Sequence, residues 1–473
     1  MNMKHITSCS HFSLRKTATS LILSILTLTT FAQSIQGSWK GVLDVGGAQL
    51  NLVFHINNDK TVTMDSPDQG AMGIPTTVKF FAADSLCVEM QAMNVVYSGK
   101  LQGDEIKGTF SQMGYSFPLN LKKGEVKLNR PQTPQPPFPY QTKDVSFENK
   151  GIDLQTGKPL AAGGATLAGT LTLPEGFKKG MPVVLMVTGS GQQNRDEELM
   201  GHKSFLVIAD WLARHGIASL RYDDRGVGQS TGDASKATTY DNMLDAIAGI
   251  DFLKKTKEFG KIGVLGHSEG GTIGYMLAAR GKADFVVSLA GPALRGNSIL
   301  LMQNRNILKM AGLDDENINK YVEALHRIFQ YKASGSKFRF ASKPEALLPM
   351  LTSDISLPEQ LRQNLIETMK QIDGAWLDYF ISFDPAEDLR QTKCPVMLLG
   401  GDRDTQVRAK ENISAAKSLL PKNAKSLFKE YPNANHLFQP STNGMPLEYG
   451  KIETTIIEDV LKDIATWIQS VAK

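Results

Sequence analysis

Cysteine is scarce: the chain of 473 residues carries three, at positions 9, 87 and 394. Cys9 lies ahead of an N-terminal apolar run, and Cys87 and Cys394 fall in different parts of the chain, so no disulfide framework can be drawn. No His/Cys cluster has metal-ligand spacing, and neither a metal nor an organic cofactor is expected. Basic runs are missing as well. The 52 Lys and Arg stand against 48 Asp and Glu, a formal charge of +4, with no basic stretch interleaved by aromatics. Nucleic acid is therefore not an expected partner. Beyond residue 32 no segment is apolar enough to span a bilayer.

What the N-terminus does have is the pattern of a secretory signal. Lys4, Arg15 and Lys16 precede the apolar run "ATSLILSILTLTTFA", and Thr30-Phe31-Ala32 offers small residues before Gln33. The expected cut lies near Ala32/Gln33, giving a secreted or periplasmic protein with no stable membrane span. Removing residues 1–32 takes away those three basic residues and no acidic one, so the charge falls from +4 to +1.

Residues 34–128 read as β. "GSWKGVLDV", "AQLNLVFHI", "SLCVEM" and "DEIKGTFSQ" are short, often alternating and broken by Gly, Asn and Asp. That pattern predicts a small antiparallel all-β barrel or sandwich. Its one histidine, His55, sits in an alternating strand, and Trp39 is read either as core or as a sugar-stacking platform. Residues 129–144 include "RPQTPQPPFPY", whose five prolines favour an extended, semi-rigid spacer. From 145 to 473 apolar strands alternate with helical segments, which predicts an α/β domain with a mostly parallel sheet covered on both faces. A mostly helical insertion at about 295–382 is too long for a simple connection. It is expected to cap the carboxyl ends of the strands, where ligands bind in such sheets. "LRYDDRGVGQSTG" mimics a dinucleotide loop, but its third glycine comes one place late and no apolar helix follows.

The chemistry centres on Gly266-His267-Ser268-Glu269-Gly270. A strand-type run precedes it and a helix-type run follows, so the serine is placed on a sharp strand-to-helix turn with its hydroxyl exposed. A serine hydroxyl needs a base, and the base needs a carboxylate to orient it. Only His326 and His436 follow in the chain. His326 lies on a cap helix, whereas His436 lies in the Pro/Asn-rich loop "YPNANHLFQP", which suits a catalytic base. The carboxylate is expected after "CPVMLLGG". Asp404 is preferred there, with Asp402 hydrogen-bonding the loop backbone. The oxyanion needs two donors. These are expected to be the N–H of Glu269 and the N–H of Ser190 in Thr188-Gly189-Ser190-Gly191, with Gly189 and Gly191 as neighbours.

Taken in order, TGSGxxNRDE, LRYDDRGVGxSTG, GHSEGG, GDRDTQV and NANH resemble the α/β-hydrolase serine esterases of bacteria, near the serine aminopeptidase and dienelactone-hydrolase-like branches. The resemblance covers roughly residues 145–473. It implies a helical cap, a preference for small acyl esters and an acyl-enzyme intermediate. It also implies a pocket near His267 and "AWLDYFISFDP", where Trp376, Tyr379 and Phe380 line the acyl site or pack in the core. Two other functions fit the same residues: a serine peptidase acting on small peptides, which would need Glu197, Glu198 or Glu269 to anchor a substrate N-terminus, and an inactive hydrolase-like scaffold that binds glycans. The expected partner is a small-molecule or saccharide ester. A homodimer is an allowed assembly.

Overall fold

The computed structural model describes residues 34–45, 48–112, 114–334 and 343–473. The expected signal segment lies outside the described residues. Among those residues no helix is long and apolar enough to cross a membrane.

The N-terminal unit is one ten-stranded antiparallel sheet. The strands Gly37–Val45, Ala48–Ile56, Val62–Ser66 and Ala71–Pro75 pair in succession, and so do Thr77–Phe81, Ser85–Met90, Val95–Gln102 and Glu105–Gln112. The short strand Leu121–Lys123 joins the two runs by pairing with Gly37–Val45 and Glu105–Gln112. The remaining strand, Tyr115–Pro118, pairs with Glu105–Gln112 off this path, whose ends are Ala71–Pro75 and Thr77–Phe81, and the sheet is a nearly closed barrel. Alternation sends Trp39, Leu43, Phe54, Val88, Tyr97 and Ile106 into one core. Trp39 is 2% exposed and its indole N–H donates to the Ile35 carbonyl at 2.6 Å. It is therefore a core residue, and the sugar-platform reading is corrected.

The proline-rich stretch is pinned rather than free. The Arg130 guanidinium donates to the carbonyls of Met200 at 2.8 Å, Gly450 at 2.7 Å and Ile452 at 3.2 Å. Gln132 accepts from the amides of Thr455 and Ile456 at 2.7 and 2.9 Å. These side chains satisfy loop backbone that would otherwise lack partners, and that turns the expected spacer into a strap. Its last residues already belong to the next sheet, in the edge strand Gln141–Asn149.

That second sheet has eight strands. Gln141–Asn149 and Ala165–Leu173 are antiparallel, and the sheet continues Ala218–Tyr222, Val183–Val187, Ile262–His267, Val286–Leu289, Val396–Gly401 and Leu427–Tyr431 in parallel. The central strand shows why both faces are covered. Val183, Leu185 and Val187 face the helices Thr239–Thr256 and Glu269–Ala279, while Val184 and Met186 face Ser204–Arg214 and Glu458–Val471. A strand apolar on both faces is a buried parallel strand. In the expected dinucleotide mimic, Arg225 is instead consumed by Asp245, at 2.8 and 2.7 Å, with Asn149 donating to the same carboxylate at 2.7 Å.

The cap is a helical layer with its own core. Gly296–Met310, Asp315–Ala333, Pro344–Leu351, Glu359–Gln371 and Ala375–Ser382 bury Tyr321, Leu325, Phe329, Leu347, Leu365 and Met369 against one another. Its two ends cross at Gly296, where a Cβ would stand 1.9 Å from the Phe380 carbonyl oxygen. Only glycine fits there.

Candidate active site

Ser268 sits between the strand Ile262–His267 and the helix Glu269–Ala279, with φ 52° and ψ −121°. A non-glycine residue in that region is strained, and such strain persists only where the surroundings fix it. They do. A Cβ on Gly266 would lie 2.0 Å from the Gly270 carbonyl oxygen, and one on Gly270 would lie 2.1 Å from that of Val187. The two glycines let the turn close on itself and against the central strand. The helix opens at Glu269, whose amide is in the first turn and so has no intrahelical acceptor.

His436 and Asp404 meet. His436 Nδ1 donates to Asp404 Oδ2 at 2.7 Å, with both residues buried. Asp404 Oδ1 accepts from the amides of Gln406 and Val407, each at 2.8 Å, which fixes the carboxylate in its loop. This corrects the expectation for Asp402. Its side chain is exposed and makes no hydrogen bond among the described residues, because the loop turns residue 404 inward and residue 402 out. Ser268 Oγ makes no hydrogen bond to His436 or to any other described group. In unliganded sites such a bond is often long and shortens only when substrate arrives.

The loop after Val183–Val187 lies over the serine. A Cβ on Gly189 would stand 3.3 Å from Ser268 Cβ. Ser190 and Gly191 line an open cavity of about 370 Å³ together with Gln192, Asn242 and Trp376. The Ser190 amide has no acceptor among the described residues. The loop is anchored from below by Asp224, which accepts from Thr188 Oγ1 at 2.8 Å and the Gln193 amide at 2.9 Å. Burial pushes the Asp224 carboxyl up to about 8.

Of the expected pocket residues, Trp376 and Gly191 line this cavity, while Gly189, His267, Tyr379 and Phe380 do not. His267 turns inward, to Glu197 at 2.9 Å and the His436 carbonyl at 3.0 Å. Phe380 is buried against the Trp376 ring at 5.0 Å, and Tyr379 stacks on Phe383 at 5.4 Å. Trp376 and Phe380, four residues apart, share one face of the helix and stack, with Phe380 buried beside the indole that reaches the opening. The Trp376 indole N–H reaches both oxygens of Glu269 at 2.9 Å. Burial raises the Glu269 carboxyl above its usual range.

A second Ser–His–Asp chain occurs in the barrel. Ser38 Oγ lies 3.0 Å from His55 Nδ1, and His55 Nε2 lies 2.7 Å from Asp65 Oδ2. The residues come from neighbouring strands in which Ser38 faces His55 across the ladder. Ladder amides are already paired, so no oxyanion donors surround this serine. The chain is a hydrogen-bond row along the sheet, half-buried at Ser38 and His55 and buried at Asp65.

A mixed eight-stranded sheet, a strained serine at the strand-to-helix turn and a helical cap over the strand ends define a hydrolase of the α/β-hydrolase superfamily. Residues 163–429, more than half of the chain, match the X-Pro dipeptidyl-peptidase (S15) family, and the chain belongs to that family. It is 29% identical over 374 residues to the esterase EstD of Thermotoga maritima, covering 75% of this chain and 79% of that protein. Among solved structures it is similar to Est1E of Butyrivibrio proteoclasticus with ferulic acid bound, at 17% identity and TM-score 0.38, covering 65% of this chain and 97% of that one. It is also similar to the Pyrococcus furiosus esterase Pf2001, at 15% identity and TM-score 0.40, covering 74% and 100%.

Proposed function

We propose that this protein is a secreted or periplasmic serine esterase that cleaves small acyl esters through an acyl-enzyme. Ser268 attacks the ester carbonyl and His436 takes its proton. Asp404 fixes the imidazole so that Nε2 faces the serine and stabilises the ring once it is charged. The amides of Glu269 and Ser190 receive the oxyanion. His436 then protonates the leaving alcohol, and water resolves the acyl-enzyme. The observation that carries this reading is the 2.7 Å bond from His436 to Asp404, on a loop whose His436 carbonyl lies 3.0 Å from the ring of the residue preceding Ser268.

An ester is favoured over a peptide by where the carboxylates point. Binding a substrate ammonium needs an acid free in the pocket. Glu197 is engaged by Gly189 and His267, Glu269 by Trp376, and Glu198 pairs with Lys203. The similarity to EstD supports the same choice. Membership of the S15 family favours the peptidase reading, so both belong in one assay. Short-chain p-nitrophenyl esters are expected to give a higher kcat/KM than X-Pro anilides, with turnover of both falling at least about a thousandfold in Ser268→Ala. Higher efficiency on the anilides would overturn the ester reading, and unchanged turnover in Ser268→Ala would overturn the mechanism.

A further inference from the structure

Glu197 is the least expected member of the site. It is 6% exposed and takes a left-handed φ of 47°, a conformation that turns its side chain back under the loop it follows. Its Oε1 accepts from the Gly189 amide at 2.8 Å and from His267 Nδ1 at 2.9 Å. On the far side of the ring, His267 Nε2 is 3.0 Å from the His436 carbonyl. A carbonyl oxygen can only accept, so Nε2 carries a proton. An ionised Glu197 carboxylate can only accept as well, so opposite a charged Glu197 Nδ1 carries the other proton and the ring is an imidazolium.

Resting on the serine-hydrolase reading above, we infer that Glu197 and His267 form a buried ion pair that positions the catalytic machinery. One end holds the loop that carries Ser190. The middle is the residue directly before Ser268. The other end holds the backbone of His436. Three segments far apart in the chain are thus set in register by one carboxylate and one ring, and neither residue touches the reacting atoms. Burial opposes charge on His267, but the facing Glu197 and the His436 carbonyl outweigh it and hold its pKa above the ordinary histidine value. The other titratable groups facing the pair are His436, with ring centroids 4.8 Å apart, Asp404 beyond it, and Asp224 beside Glu197.

Glu197→Gln separates this role from plain packing. The amide oxygen can still accept from Gly189, but without the carboxylate the ring keeps one proton and gives up one of its two bonds. With p-nitrophenyl acetate, kcat is expected to fall about ten- to a hundredfold, with KM within about twofold of the wild type. The wild-type kcat profile should rise once with pH and then level. In the variant the ring is neutral over that range, so the profile should keep its single limb at a lowered plateau. Glu197→Asp, which keeps the charge, should restore most of the plateau. A folded Glu197→Gln enzyme with unchanged kcat would overturn the inference. Nitrogen NMR of the wild type, assigned against His267→Asn, tests it without turnover. At pH 6.5, where a free imidazole is half charged, both ring nitrogens should be protonated in more than half of the molecules, and a mainly neutral ring there would also overturn it. The Ser268→Ala assay fails independently of the NMR result, so failure of the hydrolase reading is distinguishable from failure of the ion pair.

Discussion

At Ser268 the backbone holds φ 52° and ψ −121°, a region that glycine enters freely and other residues do not. Such a conformation stores about 1–3 kcal/mol. A glycine there would release that strain but give back about 0.5–1 kcal/mol through the greater freedom of the unfolded chain. The released strain outweighs that loss. Ser268→Gly is therefore expected to be inactive and yet more stable than Ser268→Ala by about 1 kcal/mol in denaturant titrations. Equal or lower stability would mean that the turn is relaxed. The same residue shows what can be read from one dimension. Glycines at 266 and 270 announce the tight turn, and a histidine in a Pro/Asn loop marks the proposed base. Asp402 against Asp404 depends on the rotation of a loop. Glu197 stands in the sequence as no more than one of three acids able to bind an amine. Nothing in the order of residues shows that a left-handed turn carries it back beneath residue 189.

The cap meets the core through the helix Ala375–Ser382, where Trp376 donates to the Glu269 carboxylate. That carboxylate is buried, so losing its donor costs about 1–3 kcal/mol. The cap has a separate hydrophobic core, so the cost falls on docking of the helix rather than on global folding. Trp376→Phe keeps the ring stack on Phe380 and removes only the N–H. Amide exchange across 375–382 should then quicken about tenfold or more while the melting temperature barely moves. Unchanged exchange would show that the indole bond does not hold the cap.

Legibility also varies with the element. The strands Gly37–Val45, Ala48–Ile56 and Ser85–Met90 stand out because alternation is bounded by turn residues. Ala71–Pro75 is hidden, since it contains Gly and Pro, pairs through a bulge and lies at an edge. Gln141–Asn149 is hidden by its polarity: as an edge strand it buries few side chains.

Across the molecule, His202 marks where the strap and the catalytic domain lock. Its Nε2–H donates to the Tyr449 carbonyl at 3.0 Å, and its Nδ1 accepts from the Thr455 hydroxyl at 2.9 Å. Burial, then the charge of Arg130, lowers its pKa from 6.5 to about 4. The folded ring thus refuses a proton that the unfolded chain accepts below 6.5, so stability is lost as pH falls from 6.5 towards 4. The slope from this group is at most about 1.4 kcal/mol per pH unit. Denaturation midpoints taken between pH 7 and pH 4 should fall less steeply in His202→Asn than in the wild type. Parallel slopes would assign the acid sensitivity to other groups.

The strap also decides where the chain can be cut. Arg130 donates to carbonyls at Met200, Gly450 and Ile452, and Gln132 fills the amides of Thr455 and Ile456. A truncated catalytic fragment that starts at the edge strand Gln141–Asn149 would leave those groups bare and its C-terminal loop unsupported. A fragment meant to keep its native surface must begin upstream of Arg130 and carry the proline stretch with it.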